Sequence, residues 1–312
     1  MTSTPKTHRT GPVLVAIALY WTVSSSLAHA QLGDVKLGAA GYEYFPAAAG
    51  RATPLNPGGG RAAFQMFRAS VAVPLELSEH TYFIPGLRYS ALDLMEDNPP
   101  PPETRQSIGA LHALLLKAAL WHAFDEHWAV FASVGGGLAS DFSSGVSSRD
   151  WVVSAQLLGL WTIVRGFTLG AGVGYDRRTG SVSPLPLLAL DWRPSDVFMV
   201  RGVVPESLAI RYRVIPWLTL ALEGGLEGER YHLGAKKFGV DDAEVAYSIM
   251  KSGLSATVHW GDFVNTRLYG GAAFRRRFEF YVNDASQGDV RVAAGPFLGL
   301  EVSVGPSIWQ KR

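Results

Sequence analysis

Hydrophobic and polar residues alternate along most of this chain, and the pattern is clearest in the segment 217–232. In an extended strand, successive side chains point to opposite faces. Four leucines of the segment fall on one face, and one threonine and three glutamates fall on the other. They are Leu218, Leu220, Leu222 and Leu226, opposed by Thr219, Glu223, Glu227 and Glu229. A helix would spread the leucines around its circumference, so the alternation predicts a β-strand.

The same alternation, bounded by turn residues, predicts fourteen strands. They cover 35–46, 61–73, 81–91, 106–123, 128–141, 150–164, 167–177, 183–193, 197–204, 207–215, 217–231, 243–260, 263–281 and 289–304. A tilted membrane strand needs ~9–11 residues, and the ninth and tenth are the shortest of the set. The count falls to twelve if 197–215 is not a full hairpin.

Short and long connections alternate between these strands. Short ones include 125–127, 165–166 and 261–262, and long ones include 92–105 and 233–242. Bacterial outer-membrane barrels have short periplasmic turns, longer outer loops and an even strand number. The chain therefore predicts an all-β fold, a transmembrane antiparallel up-and-down β-barrel of about fourteen strands. A soluble β-sandwich is the alternative.

Aromatic residues give a second reason to predict a barrel, because amphipathic rings collect at the two membrane interfaces. Tryptophans lie beside the short connections, and other aromatic residues lie at the opposite strand ends. The first group is Trp121, Trp128, Trp161, Trp192, Trp217 and Trp260; the second is Tyr42, Tyr44, Tyr89, Tyr175, Tyr231, Tyr247, Phe278, Phe280 and Tyr281. Aromatic residues also mark strand ends in soluble β-proteins, so this pattern leaves the sandwich open.

Residues 1–30 have the layout of a secretory signal peptide, and 31–312 are predicted to form the barrel domain. A basic start with Lys6 and Arg9 precedes an apolar stretch, 11–23, and an A-x-A site at 28–30. An uncleaved membrane anchor is the alternative. The chain contains no cysteine, and an exported chain without disulfides is typical of the bacterial envelope. We therefore expect the bacterial outer membrane as its location.

Charged residues concentrate on one face of the predicted strands, which we assign to the lumen. The candidate lumen-lining residues are Arg68, Arg88, Lys117, Arg201, Arg211, Arg213, Glu223, Glu227, Glu229, Lys251, Arg267, Arg275, Arg277, Arg291 and Glu301. Two interpretations remain open: paired charges brace the wall, or a basic strip makes a pore that favours anions. In the segment 108–122 both faces are apolar, so either something fills the lumen there or the register shifts.

Residues with catalytic or metal-binding chemistry form no complete pattern. His122, Asp125 and His127 lie in a short turn whose spacing fits no standard metal site. Ser107 with His112, and Ser255 with His259, lack a third group. We therefore expect no cofactor, no metal and no enzymatic activity, although a lipid-acting barrel enzyme and a surface-loop binding protein are alternatives. The net charge of +1 shows no nucleic-acid footprint.

The chain resembles outer-membrane β-barrel families of unknown function from Gram-negative bacteria. The resemblance is carried by the signal with Ala28-His29-Ala30, the run 198–212 and the glycine-rich strands 169–175 and 268–274. The strand count is similar to that of fatty-acid channels of the same membrane. The resemblance concerns architecture, and we carry no function or catalytic residue over from it. From the predicted barrel itself we expect outer-membrane lipid, the barrel-assembly machinery and small polar or anionic solutes as partners, and a passive pore or a structural barrel as function.

Overall fold

The computed structural model describes residues 36–49, 61–96, 109–176, 183–234, 243–283 and 285–305. Within them, sixteen strand segments follow one another along the chain. They are β1 Gly38–Ala49, β2 Arg61–Ala72, β3 Leu75–Ser78, β4 Thr81–Glu96, β5 Ala110–Ala123, β6 Trp128–Ser140, β7 Trp151–Val164, β8 Phe167–Asp176, β9 Ser183–Trp192, β10 Phe198–Val204, β11 Ser207–Ile215, β12 Leu218–Leu233, β13 Ala243–Trp260, β14 Val264–Val282, β15 Ala285–Val292 and β16 Gly295–Val304. The predicted signal 1–30 lies outside the described residues.

The strands form one closed antiparallel barrel with fourteen strand positions around its wall. We call each strand position a stave. Segments β2 and β3 both pair with β4 and count as one stave, and β15 and β16 both pair with β14 and count as another. Pairing of β1 with β16, from Gly38 opposite Val304 to Tyr44 opposite Leu298, closes the ring. Every stave therefore has two neighbours along the part of the wall where β1 pairs with β16, which leaves no sheet edge there for lipid to cover. Among the described residues, no helix is both long and apolar enough to cross a membrane.

The predicted fold class and the count of fourteen are confirmed. The short strands β10 and β11 do form a full hairpin, paired from Phe198 opposite Tyr212 to Val203 opposite Ser207. The predicted last strand, 289–304, is interrupted at 293–294, where β15 gives way to β16. The predicted short connection 74–80 contains β3, so this hairpin extends further than the alternation indicated.

Leucine and valine side chains cover the outside of the barrel wall. Eight of them, each between 48% and 69% exposed, are Leu116, Val134, Leu157, Leu188, Leu222, Leu254, Leu268 and Leu298. Exposed tryptophans border this belt where the turns are short, which we call the short-turn end: Trp128, Trp161, Trp192, Trp217 and Trp260. Trp121 differs from the prediction, because it is 4% exposed and faces inward. Contiguous exposed apolar surface of this extent suits a lipid environment.

The opposite end of the barrel, which we call the long-loop end, contains a dry core. Seventeen buried residues fill it, and they come from nine of the fourteen staves. They are Phe45, Phe64, Met66, Leu92, Leu111, Ala113, Ala139, Tyr231, Leu233, Ala243, Val245, Tyr247, Ile249, Ala273, Phe278, Val292 and Phe297. We call this set the long-loop core. Tyr231, Tyr247 and Phe278, predicted for an interfacial girdle, belong to it, because their rings point inward.

The barrel narrows at the long-loop end because five staves, β7 to β11, end before the level of the long-loop core. There β12 pairs directly with β6, in parallel, at His232 opposite Ser140. Asp150, at the end of a short 3-10 helix, contacts His232 at 2.7 Å from Oδ1 to Nδ1. Nine staves then enclose the long-loop core, and a barrel of about eight strands is just narrow enough for side chains to fill.

This narrowing explains why both faces of β5 are apolar. Leu111, Ala113 and Leu115 face inward and are at most 6% exposed, whereas Leu114 and Leu116 face outward and are 45% and 67% exposed. The register of the segment therefore does not shift. Something does fill the lumen there, namely the side chains of the long-loop core.

A β-bulge in β14 reverses the predicted faces of its second half. Ser248 of β13 pairs with Arg277, but Met250 pairs with Phe274, so one residue opposes two. Arg275 takes a positive φ of 52° at this point. Beyond the bulge Arg276 and Phe278 point inward and are 1% and 6% exposed. A bulge adds one residue to a period of two, so each later side chain changes face.

We predict that Leu254→Arg destabilises the barrel by about 2–4 kcal/mol, since Leu254 is 69% exposed on the apolar belt. Leu77→Arg is the control, because Leu77 is 62% exposed but lies in β3 next to the short turn. There the cost falls to about 0–1 kcal/mol. Urea unfolding of the refolded chain in lipid vesicles measures both. Equal costs would contradict the placement of lipid around the belt.

Candidate functional site

A cavity of about 840 Å³ occupies the lumen below the long-loop core. Among the described residues, its lining includes seven lysines or arginines and six aspartates or glutamates. They are Lys36, Arg68, Arg88, Arg201, Arg211, Lys251 and Arg267, with Glu43, Asp191, Glu206, Glu223, Glu227 and Glu301. This volume is in the range of small-molecule sites. The positive and negative charges of these lining residues nearly balance.

Glu43 of β1 is the centre of the first charge network. Its carboxylate accepts from Lys251 Nζ at 2.8 Å and from the Tyr269 hydroxyl at 2.7 Å, and Arg68 Nη1 lies 3.5 Å away. Glu227 contacts the same two cations, Arg68 at 2.5 Å and Lys251 at 2.9 Å. Four staves, β1, β2, β12 and β13, are thus linked across the lumen. The carboxylates and the cations pair with one another in a part of the wall where their side chains are buried or half-buried.

Arg267 of β14 is the centre of the second network. It donates to Glu223 at 2.7 Å and to Glu301 at 3.3 Å, and its guanidinium lies 4.4 Å from the ring centre of Tyr269. Lys36 also pairs with Glu301, and the Ser255 hydroxyl donates to Glu223 at 2.5 Å. Because Tyr269 contacts both Glu43 and Arg267, the two networks join into one charged wall.

The opposite wall of the cavity is mainly apolar. Ile84, Trp121, Phe131, Leu158 and Leu160 line it, from staves β4 to β7. Farther along the wall Arg201 of β10 pairs with Asp191 of β9. The cavity therefore presents an apolar surface on one side and paired charges on the other. An amphipathic small molecule would match both sides.

Twelve of the fifteen predicted lumen residues lie on inner faces. Nine line the cavity: Arg68, Arg88, Arg201, Arg211, Glu223, Glu227, Lys251, Arg267 and Glu301. Glu229 pairs with Arg88 at 3.1 Å just beside the cavity. Lys117 and Arg213 share the inner faces of β5 and β11 with Leu115 and Ala209, respectively.

Three predicted lumen residues, Arg275, Arg277 and Arg291, must be corrected. The bulge in β14 turns Arg277 to the outer face, where it pairs with Asp289 at 2.9 Å. Arg291 pairs with the same carboxylate at 2.7 Å, and its side chain is 65% exposed. Arg275 is exposed at the bulge itself. Of the three candidate lumen arginines in β14, Arg267, Arg275 and Arg277, this leaves Arg267 on the inner face.

Sequence reasoning missed Glu43, Lys36 and Tyr269 as members of the charged wall. Glu43 was identifiable, because it lies between the outward-facing Tyr42 and Tyr44 in β1. Lys36 lies in the predicted strand 35–46, where alternation places it on the same face as Tyr42 and Tyr44 and away from Glu43. In the structure it precedes β1, which begins at Gly38, so this alternation does not apply to it. Tyr269 shares the predicted inner face with Arg267, but it is uncharged and was therefore not among the charged lumen candidates.

The candidate catalytic pairs are not assembled in the described residues. Ser255 donates to Glu223, whereas His259 contacts Thr219 at 2.9 Å and Asn265 at 2.6 Å. His112 contacts the Tyr89 hydroxyl at 2.8 Å, and Ser107 lies outside the described residues. No described group of three or more His, Asp or Glu side chains is arranged to hold a metal ion.

The turn between β5 and β6 has the structural role expected of a solvated turn. The Asp125 carboxylate accepts from the backbone N–H groups of His127 and Trp128, both at 2.7 Å. These two donors hold the pKa of Asp125 below its usual range, because they favour the charged form.

Comparison with known families adds the chain's affiliation. A family model described as "Domain of unknown function (DUF6268)" matches residues 26–287. The chain belongs to the DUF6268 family. The curated proteins contain no match to this DUF6268 chain.

Solved structures similar to this DUF6268 member are bacterial outer-membrane barrels. The COG4313 outer membrane channel from Pseudomonas putida F1 is 14% identical, with a TM-score of 0.45, 86% of this chain and 94% of that chain covered. A Pseudomonas aeruginosa FadL homologue is 9% identical, with a TM-score of 0.41 and coverage of 92% and 93%. LpxR from Salmonella typhimurium is 6% identical, with a TM-score of 0.37 and coverage of 86% and 99%. The likeness concerns the fold alone.

We predict that Glu43→Gln destabilises the barrel by about 2–3 kcal/mol, because it leaves two cations short of a partner at a site where the Glu43 side chain is 5% exposed. Glu76→Gln, on the exposed face of β3, is the control and should change little. Urea unfolding followed by tryptophan fluorescence measures both. Equal stability of the two variants would show that the charged wall does not brace the barrel.

Proposed function

We propose that the protein is a non-enzymatic outer-membrane barrel whose lumen is a closed, braced chamber at rest. The long-loop end faces the cell surface and the short-turn end faces the periplasm, as expected for barrels of this membrane. The observation that carries the proposal is the long-loop core, which fills the lumen across nine staves. Small polar solutes pass through the barrel passively only when the side chains of the long-loop core move apart.

Two features of the chamber support this proposal over a standing anion pore. Its lining charges nearly balance, and those of the two networks are paired with one another. The outward position of Arg277 and Arg291 removes part of the predicted basic strip. Paired charges brace the wall and still present a polar surface to a solute when the core opens.

The test is ion conductance of the refolded chain in a planar bilayer. We expect no steady open state for the wild type, and discrete steps for the double variant Leu92→Ala, Leu111→Ala, because both leucines are at most 1% exposed in the core. The control is Leu116→Ala, Leu188→Ala on the lipid face, where the side chains are 67% and 63% exposed. It should behave as the wild type does.

Two results would contradict the proposal. Steady wild-type conductance would show that the core does not close the lumen, and equal conductance of both double variants would show that core packing does not govern opening. Ester hydrolysis by the wild type in lipid vesicles, lost in His112→Ala or His259→Ala, would instead favour an enzyme.

Selectivity of the opened variant gives a separate prediction. In the Leu92→Ala, Leu111→Ala background, Arg267→Gln should shift the reversal potential under a salt gradient toward cations, since it leaves Glu223 and Glu301 without this partner. Arg277→Gln should not shift it, because Arg277 lies on the outer face beside Asp289. A shift with Arg277→Gln would contradict the position assigned after the bulge.

A further inference from the structure

Arg276 is a buried arginine without a carboxylate partner in the described part of the chain. It is 1% exposed and lies beside the long-loop core. Its Nε donates to the Ala293 carbonyl at 3.1 Å, and its guanidinium lies 5.7 Å from the ring centre of Phe64. Both Nη atoms are buried, and no described residue accepts a hydrogen bond from either of them.

Four other arginines on inner faces of the barrel follow a different rule. Arg68, Arg88, Arg201 and Arg267 each pair with at least one glutamate or aspartate. A buried charge is costly unless it is paired and hydrogen-bonded. For Arg276, one backbone acceptor and one aromatic ring are the described contacts that offset the free-energy cost of burying the charge.

The backbone is arranged so that Arg276 points inward. Without the bulge, alternation would place Arg276 on the outer face, as the sequence pattern indicates. The bulge requires Arg275 to adopt a φ of 52°, which is uncommon for a residue with a side chain. Bulges often re-aim a side chain next to a functional site, and a strained residue is a reason to look for function there.

The wall beside Arg276 is not closed by strand pairing among the described residues. Pairing of β1 with the last stave ends at Tyr44 opposite Leu298, whereas β15 pairs with β14. A Cβ placed on Gly295 would lie 3.6 Å from the Ala48 Cβ and 3.7 and 3.8 Å from the two Nη atoms. The Nη groups therefore lie beside two small residues, at a seam between β1 and the last stave.

The outer face of β14 and β15, beside this seam, carries three arginines and two carboxylates. Arg275 is exposed, and the Arg277 and Arg291 side chains are 43% and 65% exposed; Arg277 pairs with Asp289 and Glu279, and Arg291 pairs with Asp289. Arginine binds phosphate through two parallel N–H groups. The exposed arginines would attract a phosphate group to the seam, and Arg276 would supply the paired donors.

We propose that Arg276 is the central residue of a phosphate-binding site at the seam between β1 and the last stave. Its two Nη groups donate to two oxygens of one phosphate group, and the negative charge compensates the buried guanidinium. The phosphate comes either from solution or from a lipid headgroup at the long-loop end. This site is separate from the chamber and does not depend on the proposed function.

The first test is calorimetric titration of the refolded full chain in zwitterionic detergent with inorganic phosphate, at an ionic strength held constant with chloride. We expect saturable binding by the wild type, none by Arg276→Met, and binding weaker by about tenfold or more for Arg276→Lys, which keeps the charge but loses the paired donors. Arg165→Gln is the control and should still bind, since Arg165 is exposed in the turn between β7 and β8, at the opposite end of the barrel.

The second test separates the two sources. The urea midpoint is compared in phosphatidylcholine vesicles with and without phosphatidate. Stabilisation by phosphatidate that Arg276→Met and Arg276→Lys lose, without binding of inorganic phosphate, supports a lipid headgroup. Arg276-dependent binding of inorganic phosphate supports a soluble source. Absence of both effects in the wild type, or equal effects in the Arg276 variants, overturns the proposal.

Discussion

The need to satisfy every backbone hydrogen bond without help from water governs this structure. In hydrocarbon an unpaired backbone N–H or C=O group costs several kcal/mol, so a spanning sheet must close on itself. The chain closes once, through β1 and β16, with fourteen staves. It then narrows at the long-loop end, where β12 meets β6. The wide part encloses the charged chamber, and the narrow part encloses a dry core.

Different interactions fill the lumen in these two parts of the barrel: charge pairs in the wide part and apolar packing in the narrow part. In the wide part the staves are too far apart for side chains to pack, so long charged residues reach across and pair, as Glu43 and Glu227 do with Arg68 and Lys251. In the narrow part rings and aliphatic side chains are in contact, as Phe45 and Phe64 are, with ring centres 4.1 Å apart. The number of staves at each level therefore decides which kind of residue the inner face carries.

Alternation predicted the strands and most inner-face residues because period two is a local property of an extended chain. It predicted Arg68, Glu227 and Arg267 on the lumen side for this reason. It gave Arg277 and Arg291 the opposite face from the one they occupy, because the bulge at Arg275 and the interruption between β15 and β16 depend on pairing with neighbouring strands. It left the apolar inner face of β5 unexplained, since narrowing is set by contact between β6 and β12, strands about ninety residues apart. The local pattern predicts that successive side chains alternate between the two faces of the wall. Long-range strand pairing decides which of these side chains face the lumen and how wide the barrel is.

The contact between β12 and β6 also divides the barrel into regions of unequal local stability. The nine staves around the long-loop core contribute seventeen buried residues, whereas the hairpin of β10 and β11 ends lower and contributes Met199 and Ala209 as its buried apolar residues. Local opening follows the density of buried contacts. The amides of β10 and β11 should therefore exchange with deuterium earlier than those of β13. This hairpin is then the part of the barrel wall that unfolds locally first.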